Sequence, residues 1–217
     1  MQPVAHIGIF VDNVSKHDLE QGNNRDQDGL ILDRATVRMM EEQALKLSPS
    51  LANRVIIPID GTDPQSIRQR AEQLTLTGDN VWVQVPVMTA GHFNEALIKQ
   101  LLSEGVPLAV NGVASKKQAY QLLTIAGAYS TPLLLNLCSA MSRYDVIVSV
   151  ALAHLMPQVQ VISKAWTSDD FWDLQDLHLD GVILSQQLYT ELDVLTTSTI
   201  GQACNVKTHQ QFELVME

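Results

Sequence analysis

Cysteine, glycine, proline and basic clusters are all scarce in this 217-residue chain, and each shortage narrows what it can be. The two cysteines, Cys138 and Cys204, lie far apart with no CxxC or Cys/His spacing, so neither a disulfide framework nor a zinc site is indicated. A reducing cytoplasm fits best. Only 11 Gly and 8 Pro argue against collagen-like repetition and low-complexity linkers. Lys116-Lys117 is the only adjacent pair of cations, and 14 Lys plus Arg face 24 Asp plus Glu. The formal charge of -10 repels a phosphate backbone, which sets nucleic acid aside as a partner. The most apolar stretch, Val146 to Met156, contains Ser149 and His154 and is too short to span a bilayer. The start lacks a basic n-region, and Asp12 interrupts its apolar run. The reading is a soluble cytoplasmic protein with no membrane partner.

Several chemical signatures are also missing. The six histidines show no HxH or HExxH spacing, so no metal is indicated. There is no GxSxG elbow, GxGxxG turn or P-loop, and nothing in the sequence joins either cysteine to a histidine. No cofactor is called for.

What remains is 46% hydrophobic and 18% charged, a composition that folds on its own. Short β-branched runs alternate with longer segments of helical period. Eight candidate strands start at His6, Gly29, Arg54, Val81, Pro107, Tyr129, Val159 and Gly181. Between them, Ile67, Ala71 and Leu74 recur at helical spacing over 64–74, with Thr62-Asp63-Pro64 as a start signal. Ser168-Asp169-Asp170 reads as another helix start, and Gly78, Gly105 and Gly127 follow helices. Strands apolar on both faces need helices on both sides. Eight such units fit a compact, single-domain α/β (β/α)8 TIM barrel over residues 1–195, with 196–217 left over as an arm or oligomer contact. A doubly wound open sheet is the competitor.

Chemistry in a barrel sits at the C-terminal ends of its strands. The polar residues that interrupt the strands there are Asp12, Asp33, Asp60, Gln84, Asn111, Asn136 and Lys164. Gln84 shares a face with Trp82, and its plain reading is a hydrogen-bonded interior amide. Asp12 has the same standing as a cap of the first helix, and Asp33 and Asp60 read as turn formers. Lys164 has two placements. At the mouth, a desolvated lysine is an amine nucleophile. On the helix side, the placement the alternation favours because it turns Ser163 and Ala165 the other way, it snorkels to water. Arg34 and Arg143 are candidate anion binders from new positions, but an exposed loop arginine reads as plain surface.

The chain resembles the small transaldolase family, which includes bacterial fructose-6-phosphate aldolases, over nearly its whole length. The resemblance is carried by Phe10-Val11-Asp12-Asn13, Asp28-Gly29-Leu30, Thr62-Asp63, Asp79 to Pro86 against the family's D-N-V-V-V-K-I-P, Glu104 to Pro107, Ala126 to Tyr129, and Pro157 to Ile162. It implies a barrel of carbohydrate metabolism, a sugar-like metabolite as ligand, and a homo-oligomer built through the C-terminal segment. It also implies Schiff-base chemistry on the lysine of K-I-P, assisted by Asp12.

Here that lysine is Gln84, whose amide cannot form an imine. The family's substrate-binding residues are replaced as well: Asp33 stands for the second-strand asparagine, Asn111 for the fifth-strand threonine, Asn136 lies near the place of the missing sixth-strand arginine, and Ser163-Lys164-Ala165 stands for the seventh-strand A-A-S, with its phosphate-binding serine and cation gone. Asp33, Asn111, Asn136 and Ser163 are the substrate-binding candidates that remain. The expectation is therefore a pseudoenzyme or metabolite binder without family aldolase activity. The alternatives are a repurposed aldolase or lyase using Lys164 and a structural or regulatory oligomer subunit.

Overall fold

The computed structural model describes residues 7–21, 27–43, 53–59, 61 and 63–192. In chain order the elements are β1 (Gly8–Val14), α1 (Lys16–Gln21), β2 (Gly29–Leu32), α2 (Arg34–Gln43), β3 (Val55–Pro58), α3 (Pro64–Thr75) and β4 (Val81–Pro86). Then come β5 (Met88–Thr89), β6 (His92–Phe93), α4 (Glu95–Ser103), β7 (Leu108–Val113), α5 (Lys116–Ala126) and β8 (Leu133–Leu137). α6 (Arg143–Ala153), β9 (Val159–Lys164), α7 (Ser168–Gln175), β10 (Gly181–Ser185) and a last helix, α8 (186–192), complete the order. Eight strands close into a parallel barrel in the order β1-β2-β3-β4-β7-β8-β9-β10, and β10 pairs back onto β1. This is the (β/α)8 TIM barrel. The open-sheet alternative is excluded by that closing pair. The arm expected at 196–217 and the strand-end acid Asp60 lie outside the described residues.

The elements form where local chemistry and burial agree. In α3, Pro64 occupies the first turn and the Asp63 carboxylate accepts from the backbone N–H of Gln65 and Ser66, while Ile67, Ala71 and Leu74 are buried against the barrel. Three expectations shift. The sixth barrel strand, β8, starts at Leu133 rather than Tyr129, because Tyr129 N still closes the end of α5 onto Ala126 O. The cap of α7 is Thr167, one residue before the expected start, in a capping box with Asp170. Asp12 does not cap α1: Ser15 and Asp18 satisfy that end, and the Ser15 hydroxyl and amide hold the Asp18 carboxyl below the usual carboxylate range. The β5–β6 hairpin, turning through Ala90 (φ 50°) and Gly91 (φ 81°), interrupts the β/α alternation between β4 and α4.

The barrel interior is packed by Phe10, Ile31, Ile56, Ala109, Leu134, Ile162 and Ile183, with Trp82 against them. Phe10 fills the space left by two neighbours without side chains. A Cβ at Gly29 would lie 2.3 Å from its ring, and one at Gly181 would lie 2.5 Å away. Below, at the N-terminal ends of the strands, the Arg54 guanidinium lies 5.8 Å from the Phe10 centroid and 5.2 Å from that of Trp82, and donates to Gln160 Oε1. Burial pushes this guanidinium below its ordinary range, against the pull of Asp28 and Asp180. The guanidinium thus packs onto the interior from the N-terminal end of the strands. Among the described residues no helix is long and apolar enough to cross a membrane.

Candidate functional site

The residues that point up from the packed interior share its strand parity. Asp12 follows Phe10 on β1, Gln84 follows Trp82 on β4, Asn111 follows Ala109 on β7, Asn136 follows Leu134 on β8, and Lys164 follows Ile162 on β9. A cavity of about 300 Å³ at the mouth is lined by Asp12, Asp33, Gln84, Asn111, Asn136 and Lys164, among others. Two irregularities aim these side chains. The β1–β2 register shifts between Val11 and Val14, with Asn13 at φ 56°, and the β7–β8 register shifts between Asn111 and Val113 around Gly112 at φ 80°. Bulges of this kind re-aim side chains at the rims of barrels.

The Lys164 ammonium donates to Asp12 Oδ2 at 2.5 Å, and the two side chains are 22% and 19% exposed. The favoured sequence placement of Lys164 on the helix side is therefore corrected: it faces the mouth. Ser163 turns the other way. Buried at 2%, its hydroxyl donates to Leu137 O among the helix-facing residues, so it does not line the cavity and its assignment as a substrate contact is withdrawn. Asp12 Oδ1 accepts from Asn13 N at 2.8 Å, so both carboxylate oxygens are engaged. Asp33 divides its roles, lining the cavity while its Oδ1 caps α2 by accepting from Thr36 N at 2.6 Å. Asn136 Nδ2 donates to Asn111 Oδ1 at 2.9 Å, linking β8 to β7 across the rim. Gln84 is 8% exposed, and among the described residues its side-chain amide has no hydrogen-bond partner. Its plain reading as a satisfied interior amide does not hold among them.

Two contributors escaped sequence reasoning. Trp166, at the end of β9, sets its ring 4.3 Å from Lys164 Nζ and donates from Nε1 to Ser139 Oγ at 3.2 Å, so it bridges the loops after β9 and β8. An aromatic two residues beyond a strand-end lysine was the available signal. Arg34, read as surface, lines this cavity and a neighbouring one. Arg143, the other candidate anion binder, opens α6 and lines neither. Among the described residues no group of three or more His, Cys, Asp or Glu is arranged to hold a metal.

The arrangement pairs a primary amine with a carboxylate inside a partly enclosed, amide-rimmed cavity. Such a site can exchange protons, hold hydroxyl and carbonyl groups, and bring an amine to an electrophilic carbon. The class of molecule defined by fold and site is thus a TIM barrel with a lysine–carboxylate pair at its mouth.

No family model and no curated protein matches the chain. Solved structures match at the level of fold. A protein assigned as a phosphonomutase from Burkholderia cenocepacia J2315 superposes with a TM-score of 0.59 at 12% identity, over 92% of this chain and 96% of its own. A racemase from Streptomyces coelicolor A3(2), solved with bound magnesium, gives 0.57 at 11% identity over 85% of this chain. A dihydrodipicolinate synthase family protein from Coccidioides immitis gives 0.53 at 17% identity, over 85% of this chain and 68% of its own. The chain spans only 54% of the racemase. At these identities the likeness establishes the TIM-barrel fold and leaves the small transaldolase resemblance where the sequence put it.

Proposed function

We propose that the chain is a carbon–carbon bond enzyme of the aldehyde-lyase or transaldolase type, a divergent relative of the small transaldolases in which Lys164 supplies the amine that Gln84 lacks. The observation that carries this reading is the Lys164 ammonium pointing into the mouth with Asp12 Oδ2 at 2.5 Å. Asp12 takes a proton from the ammonium. The freed lone pair attacks the carbonyl carbon, and the π electrons move to oxygen, which is protonated by Asp12. Asp12 then relays a proton from the nitrogen to that hydroxyl, which leaves as water as the nitrogen lone pair closes the protonated imine on Lys164. Cleavage of the adjacent carbon–carbon bond sends its electron pair into the imine to give an enamine, while a carboxylate takes the proton of the β-hydroxyl as it becomes an aldehyde. Gln84, Asn111 and Asn136 supply amides suited to substrate hydroxyl groups.

The test is borohydride reduction in the presence of dihydroxyacetone, followed by peptide mass spectrometry. A reduced adduct on Lys164, absent from Lys164→Met, is the expected result. An unmodified Lys164 under saturating ketone overturns the reading. A second reading, a sugar-like metabolite binder without turnover, is favoured by the amide of Gln84 standing where the family has its lysine. Binding of the ketone without any adduct would select it.

A further inference from the structure

Gln84 sits one layer below the amides of the rim. Its register partner on β7 is Ala109, which in turn pairs with Leu134 of β8, and both belong to the packed interior. Asn111 and Asn136 pair with each other higher up, where Asn111 sits beside Pro86, two residues beyond Gln84. The cavity that Gln84 lines is also lined by Ile31 and Ile183 of the interior, so the amide enters it among apolar side chains. The residue is 8% exposed, and no protein group takes its Nε2 hydrogens or its Oε1. Whatever occupies the cavity supplies the partner of this amide.

Addition of an amine to a carbonyl carbon puts negative charge on the carbonyl oxygen, and that charge needs a donor. The carboxylates of the mouth cannot provide one. Asp12 accepts at both oxygens, from Lys164 Nζ and Asn13 N, and Asp33 accepts from Thr36 N. Neutral N–H donors come from β4, β7 and β8, which follow one another round the barrel as far as β9 and carry Gln84, Asn111 and Asn136. Asn136 commits an Nδ2 hydrogen to Asn111 Oδ1, and Asn111 is exposed at the rim. Of the three, Gln84 is the buried one, with both of its N–H groups uncommitted. A donor is worth most where water is excluded.

We infer that Gln84 is a catalytic residue whose Nε2–H donates to the substrate carbonyl oxygen while Lys164, three strands further round the mouth, adds to the carbon. The carbon–nitrogen bond forms as the π electrons move to oxygen, and the hydrogen bond from Gln84 strengthens as that charge grows. The amide keeps its own proton; the one that ends on oxygen comes from Asp12, as in the proposed chemistry. The residue that stands where the resemblance places an amine thus takes the oxygen end of the same carbonyl. The catalytic step rests on the amine role of Lys164, whereas the hydrogen bond to a bound carbonyl does not.

Two measurements on the full chain separate these. The first leaves the amine out: difference infrared spectroscopy of dihydroxyacetone, labelled with carbon-13 at the carbonyl, bound to Lys164→Met, or to Lys164→Arg should the first not fold. The carbonyl band should lie at lower frequency than in the same protein carrying Gln84→Leu or Gln84→Glu. A band that ignores Gln84, including one that responds to Asn111→Leu or Arg34→Gln instead, overturns the assignment, as does a folded Lys164→Met protein that takes up no ketone. The second is the rate of adduct formation on Lys164 at saturating ketone with borohydride in excess. Gln84→Leu should slow it by about 10²-fold, as for the loss of one donor to a developing oxyanion, and Gln84→Asn should recover part. Gln84→Glu should be slow at neutral pH and regain rate relative to wild type as the pH falls through the carboxyl range, where the introduced acid acquires an O–H to donate. A Gln84→Glu deficit that is the same at every pH marks a packing role and overturns the catalytic one. A Gln84-dependent carbonyl band with no adduct on wild-type Lys164 overturns the amine reading and leaves the Gln84 contact standing.

Discussion

Lys164 and Trp166 stand on either side of Ala165 at the end of β9, and the ammonium of the first lies 4.3 Å from the ring centroid of the second. With Asp12 Oδ2 at 2.5 Å, the nitrogen is held between a carboxylate and an aromatic face. A protonated imine keeps the positive charge at the same nitrogen, so both neighbours favour that intermediate as well as the ammonium. A cation–π contact at an exposed ring is worth about 0.5–1 kcal/mol. Because the ring favours both cations alike, Trp166→Leu should leave the equilibrium yield of trapped dihydroxyacetone adduct within about twofold of wild type, and a severalfold loss would mean that the ring favours the imine over the ammonium. Indole emission offers an independent check: the ketone should perturb wild-type fluorescence, and Trp166→Phe should abolish that response.

Asp12 carries the proton traffic in the proposed chemistry, so its charge can be removed with little change of shape. Asp12→Asn keeps an oxygen able to accept from Lys164 but has no useful basicity. Adduct formation at Lys164 should slow by about 10²-fold or more, as for the loss of a positioned general base. The substitution also leaves a partly buried ammonium without its counter-charge, at a cost of about 1–3 kcal/mol. A stopped time course of borohydride trapping and a urea melt read the two effects separately. A rate equal to wild type would show that Asp12 is only an ion-pair partner.

The barrel was legible because strand and helix periods alternate with matching caps: β10 begins at Gly181 as expected, and α3 runs from Pro64 under the Asp63 cap. The strand-end polar residues were legible too, since Asp12, Gln84, Asn111 and Asn136 interrupt apolar runs. The face of Lys164 was not. In a parallel barrel both faces of a strand are apolar, so Val161 and Ser163 on one side and Ile162 and Lys164 on the other give no sign of which is inside. Register settles it: Lys164 sits opposite Ile183 of the interior cluster. Likewise, the β5–β6 hairpin rests on two-residue strands too short to carry any alternation, and Arg34 reaches the mouth because it opens α2 directly after β2.

The interior around Phe10 makes its own prediction. A methyl group at Gly29 would meet the Phe10 ring at 2.3 Å, a separation that no rotation of a buried ring among fixed strands relieves easily. Gly29→Ala should therefore destabilise the barrel by about 1–3 kcal/mol through overpacking. Phe10→Leu alone should also destabilise it, by leaving a void. Combined, the two should cost less than the sum of the singles, because the smaller side chain vacates the space that the methyl group needs. Chemical denaturation of the four proteins measures that coupling. Additive losses would mean that the ring and Gly29 are not in steric contact.

Ser163 tests the parity on which the site depends. Its side chain is buried at 2% exposure and donates to Leu137 O at 3.2 Å, which joins β9 to the end of β8 behind the barrel wall. Removing the hydroxyl leaves a small void and frees a carbonyl, so Ser163→Ala should lower stability by about 1 kcal/mol. Because the hydroxyl faces away from Lys164, trapping of dihydroxyacetone should proceed at the wild-type rate. A larger residue at the same place has no room: Ser163→Leu should destabilise by overpacking before it touches the mouth. Thermal melts and the trapping rate, measured on the same preparations, decide the matter. A Ser163→Ala protein of unchanged stability but impaired trapping would mean that β9 turns its other face inward and that Lys164 is not the residue at the mouth.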